Sequence, residues 1–88
     1  HVFVSNETVS IRTLSPLEME KDVEFYEVIL HRDGVLESEA HFHGTEEIAA
    51  VSRGRVRIVS NDREAVLRKG DSACYSADVK HTLRNMSR

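Results

Sequence analysis

The sequence predicts an all-β sandwich or barrel. Three observations lead there. Short runs rich in β-branched and aromatic residues recur along the chain, several of them alternating apolar with polar. Turn residues punctuate them at near-regular spacing: Asp33-Gly34, Gly44, Gly54, Asn61-Asp62 and Gly70-Asp71. Only one short segment carries helix signals.

The chain opens "HVFVSNET", already strand-like and without a starting Met, and is read as a piece cut from a longer protein. "TVSIRTL" (8–14) is the first clear alternating run. "SPLEMEKD" (15–22) is the helix-like segment: Ser15 suits a cap, Pro16 a first helical position and Glu18 the capping pattern. It is too short to be more than a turn or connection. "VEFYEVIL" (23–30) is the next strand. "RVRIVS" (55–60) alternates cleanly, with Val56 and Ile58 on one face and Arg55 and Arg57 on the other. "EAVLR" (64–68), "SACYS" (72–76) and "KHTLRN" (80–85) complete the series, and Asn61-Asp62 between two alternating runs predicts a tight hairpin.

Eighty-eight residues make one domain, and a chain this short buries a small share of its surface. A metal site or dimerisation would support it, and a homodimer is expected. The net charge of −3 gives no electrostatic case for nucleic acid. That charge is divided: residues 1–47 hold three basic and eleven acidic side chains, residues 48–88 nine basic and four acidic. A lone cysteine, Cys74, excludes an internal disulfide and fits a reduced, cytoplasmic setting. No apolar run is long enough to span a membrane.

Chemistry concentrates in "HFHGTEE" (41–47). Residues two apart in a strand share a face, so His41 and His43 are expected to point together. Gly44-Thr45 breaks the strand and brings Glu47 alongside. Glu46 would face the other way, into solvent. His81 lies in a later strand of similar character. Three imidazoles and one carboxylate suit a divalent first-row metal and leave coordination positions open for a ligand. Zinc, nickel, iron and manganese all suit that set. The bland alternatives are solvated surface histidines or a vestigial polar pocket. Glu39, Tyr75 and Asn85 are candidate pocket residues, though edge charge, packing and turn roles explain them as well. Cys74, on the face opposite Tyr75, is expected to be a small buried apolar side chain. The Arg53, Arg55, Arg57 stripe reads as an exposed strand face or an anion or partner site.

At this spacing the sequence resembles the cupins. Their first motif is HxH, three residues, Glu, six residues, Gly; His41, His43, Glu47 and Gly54 match it. Their second runs from Gly through Pro and Gly to His and Asn; Gly70, His81 and Asn85 match. Ser76 stands for the usual Pro, Asp78 for the usual second Gly, and Gly34 lies one residue upstream of its place. These departures touch turns, not ligands. The resemblance implies a double-stranded β-helix (the cupin jelly-roll barrel) and a metal held by His41, His43, Glu47 and His81. A narrower likeness, through Phe25-Tyr26-Glu27, Ser38-Glu39-Ala40-His41, Gly44-Thr45 and Ala77-Asp78, is to the C-terminal cupin domain of bacterial regulators with an N-terminal helix-turn-helix of the Xre type. It implies residues 1–88 as a single sensor domain of a transcription regulator, with DNA bound only through a missing N-terminal domain. A residual positive charge on the metal would favour a carboxylate or amino-acid-like effector. The competing reading is a small stand-alone metalloenzyme of dioxygenase or isomerase type.

Overall fold

The computed structural model describes residues 3–5, 7–14, 26–40 and 43–87. Over these the chain is all-β, with nine strands: β1 (Phe3–Ser5), β2 (Val9–Thr13), β3 (Tyr26–Leu30), β4 (Val35–Ser38), β5 (Glu46–Ala50), β6 (Arg55–Ser60), β7 (Arg63–Arg68), β8 (Ser72–Ser76) and β9 (His81–Asn85). They form three antiparallel sheets, ordered β1-β2-β3, β4-β9-β6-β7 and β5-β8. This is the jelly-roll arrangement expected. The helix-like segment 15–22 lies outside the described residues. Among the described residues no helix is long and apolar enough to cross a membrane.

Local chemistry explains the turns. Ser60 pairs with Arg63, so β6 and β7 join through the two residues Asn61-Asp62, and Asn61 takes φ +55°, a left-handed conformation that asparagine tolerates. Gly34 packs where backbone approaches backbone. A Cβ there would sit 2.6 Å from the Thr8 carbonyl oxygen and 2.8 Å from that of His31. The His31 N–H donates to the same Thr8 carbonyl at 2.7 Å, so the two segments are tied at this point.

The four-stranded sheet supplies most of the interior. Ile58 and Leu67 are buried, and so are Ser60 and His81, which pair across β6 and β9. Val9 and Ala77 complete a small buried set. Burial alternates along β9: His81 points in and Arg84 out. The sheet therefore carries one imidazole on its inner face and charged residues on its outer face.

Candidate metal and ligand site

Strand register builds the site. Glu47 on β5 stands directly opposite Tyr75 on β8, and the Tyr75 hydroxyl donates to Glu47 Oε1 at 2.6 Å. His81, at the start of β9, is 2% exposed and places Nε2 3.3 Å from Glu47 Oε2. The Tyr75 and His81 rings lie 5.9 Å apart, tilted by 53°. Burial first, then the hydrogen bond and negative charge of Glu47, hold the Tyr75 phenol well above the usual tyrosine range. Tyr75 is thus a neutral donor that orients one carboxylate oxygen and leaves the other facing His81.

The other ring nitrogen of His81 sets its tautomer. Nδ1 lies 2.8 Å from the Val79 carbonyl oxygen, which can only accept, so Nδ1 carries a proton. Nε2 then turns a lone pair toward a carboxylate. A divalent cation placed between the two could be held by both. An imidazole fixed by a backbone carbonyl beside a hydrogen-bonded carboxylate is a donor pair that fits a borderline divalent ion.

The remaining expected residues are distributed differently. His41 lies outside the described residues. His43 occupies a turn rather than a strand. Its side chain is fully exposed and Nδ1 lies 3.6 Å from Asp78 Oδ2. The turn forms because Gly44 adopts φ +83° and its N–H donates to the same Asp78 oxygen at 2.9 Å. Asp78 is therefore a turn clamp, and its only trace in the sequence was a carboxylate where the motif asks for glycine. Among the described residues no three His, Cys, Asp or Glu side chains gather closely enough to share an ion.

Glu39 is exposed beyond the end of β4. Asn85 has its amide fully engaged with backbone: Nδ2 donates to the carbonyls of Leu30 at 2.8 Å and His31 at 2.9 Å, and Oδ1 accepts from the Ser87 N–H at 2.7 Å. Glu46 is exposed, as alternation predicts. The expectation of a buried Cys74 is corrected. It does face away from Tyr75, but that side is open, and the exposed thiol donates to Glu46 Oε2 at 3.6 Å. An open-sided cavity of about 500 Å³ lies between the β6–β7 hairpin and β8, lined by Ser60, Asn61, Arg63, Glu64, Cys74 and Tyr75 among others; Tyr75 borders it, while Glu47 and His81 do not.

Comparison with known proteins agrees with this fold. The Cupin_2 family model, described as "Cupin domain", matches residues 27–88. An HTH_3 family transcriptional regulator from Vibrio cholerae shares the fold with TM-score 0.81 and 22% identity, over 90% of this chain and 44% of that one. The Cupin_2 domain of an XRE family transcriptional regulator from Enterobacter cloacae does so with TM-score 0.82 and 21% identity, over 92% of this chain and 85% of that one. This chain thus spans less than half of the Vibrio cholerae regulator. At such identities the likeness is one of fold. No curated protein matches. The family model covers residues 27–88, more than half of the chain, so the chain belongs to the cupin domain family.

Proposed function

We propose that this cupin domain is the effector-sensing part of a bacterial transcription regulator, with a small anionic molecule bound at a divalent metal. His41, His43, Glu47 and His81 would hold the ion. The single observation that supports this most is the setting of His81: Nδ1 lies 2.8 Å from the Val79 carbonyl oxygen, and Nε2 lies 3.3 Å from a Glu47 carboxylate oxygen. A bound divalent ion would supply positive charge and open positions for a carboxylate or amino-acid-like ligand.

A sensor is favoured over a stand-alone metalloenzyme by the same contacts. Tyr75 is held as a neutral donor to Glu47, and Glu39 lies out in solvent, so neither is placed as a general base. The likeness to domains of HTH_3 and XRE family regulators supports an N-terminal DNA-binding domain as the output. A homodimer is part of this reading. The buried set is small, while Ile29 and Ile48 are 46% and 80% exposed.

Metal analysis of the purified chain beside His81→Ala and His43→Ala tests the ligand set. His43, which the structure pairs with Asp78, is the sharper case. Metal lost in both variants is expected; metal content unchanged in His43→Ala would remove that residue from the set. Calorimetric titration of the loaded chain with amino acids and simple carboxylates should then give heat, and binding of a neutral sugar in their place would defeat the anionic-effector reading.

A further inference from the structure

The outer face of the four-stranded sheet is used by nothing described so far, and its charge pattern is unusual. Register places Arg57 directly opposite Arg84 and Arg55 directly opposite Arg68. Like charges so paired across strands are destabilising. A face that needs only to be solvated can alternate its signs at no such cost. Internal carboxylates relieve this only partly. Arg57 is paired with Glu64, and Arg55 donates to the Met86 carbonyl at 3.1 Å. Among the described residues no carboxylate lies within ion-pair distance of the Arg68 or Arg84 guanidinium. Val66, 50% exposed, stands opposite Arg57 and next to Arg68 on its strand face, and Val59 follows Arg57 on β6. Arg57, Arg84, Thr82, Val59 and Glu37 line a shallow cleft of about 300 Å³.

We infer that this arginine face is a docking surface for a short acidic segment of polypeptide, one that alternates carboxylates with apolar residues. The charge on the face is complementary to carboxylates. Arginine without lysine, interleaved with valine, is the composition of a protein interface. Nucleic acid fits less well, because the exposed valine beside the arginines offers apolar contact that a phosphate backbone does not use. Four strands at roughly 4.8 Å spacing give a surface about 15 Å across. That width suits one extended or helical segment rather than a whole domain.

The test uses the 88-residue chain. A fluorescein-labelled peptide alternating Glu and Val is titrated and followed by anisotropy, beside its Gln–Val counterpart and a short DNA duplex. The Glu–Val peptide binds and the other two bind more weakly. Arg84→Glu and, on the edge strand, Arg68→Glu each weaken binding about fivefold, the upper range for an exposed ion pair. Their melting temperatures hold or rise, since each removes a like-charge opposition. Arg12→Glu, on the separate β1-β2-β3 sheet, leaves affinity unchanged. Failure of the wild-type chain to bind the peptide, tighter binding of the duplex, unaltered affinity in both variants, or losses that merely follow lowered melting temperatures would overturn the inference.

Discussion

Removing one oxygen from Tyr75 isolates the contact that orients the site carboxylate. In Tyr75→Phe the ring can stay beside His81, and only the hydroxyl that donates to Glu47 Oε1 at 2.6 Å is lost. A hydrogen bond to a charged acceptor contributes about 1.5–3 kcal/mol. The Glu47 side chain is 35% exposed, so water replaces part of the donation. The expected net loss is therefore about 1 kcal/mol. In a chain of this size that lowers the melting temperature by about 4–8 °C. Urea unfolding of wild type, Tyr75→Phe, Glu47→Gln and the double variant closes a thermodynamic cycle, with a coupling energy on the order of 1 kcal/mol expected. The pH dependence has a definite sign. The folded-state pKa of Tyr75 is raised, so its contribution is complete below the ordinary tyrosine value of about 10 and is lost as pH climbs beyond it. The difference between wild type and Tyr75→Phe should narrow at alkaline pH. Additive single variants, or a difference that widens above that value, would refute the reasoning.

Three further comparisons test the frame around the site. Asn85→Asp sets a negative oxygen against the carbonyls of Leu30 and His31 and should cost about 2 kcal/mol or more, exceeding Asn85→Ala in thermal melts. Gly34→Ala drives a Cβ to 2.6 Å from a backbone oxygen, whereas a Cβ on Gly44 meets nothing within 4 Å. Denaturation should rank Gly34→Ala well below Gly44→Ala, which carries only left-handed strain of about 1–2 kcal/mol. Ile58→Val, at a 4% exposed position, should cost about 0.5–1.5 kcal/mol by chemical unfolding, with Val66→Ala on the outer face costing less.

The strands that alternate most clearly were the most legible. Residues 55–60 and 72–76 are legible to the residue, and the Asn61-Asp62 hairpin with them, because period and turn chemistry are local properties. Val35–Ser38 is not legible: it has four residues and no clear alternation. At the candidate site, spacing singled out Glu47 and His81, which do converge, yet it also placed His43 in a strand, where the structure has a turn. The cause is Asp78, whose bond to the Gly44 amide spans 34 positions and leaves no local signature. Asn85 is similar: its partners lie 54 and 55 positions away, so spacing marked it while its role depended on chain contacts that no motif describes. Cys74 shows the remaining limit. Alternation tells which side a residue takes, and only the assembled fold tells whether that side is covered.

The candidate site straddles two pieces of unequal firmness. Glu47 and Tyr75 belong to a two-stranded ladder, while His81 belongs to the sheet of four. Two-stranded ladders are marginal by themselves. Anything gripped between the imidazole and the carboxylate would act as a rivet from the firm piece to the loose one. Occupancy would then be felt as slowed amide exchange along β5 and β8, with little change in β6 and β9, so a small molecule held by a few atoms would stiffen one whole wall of the barrel.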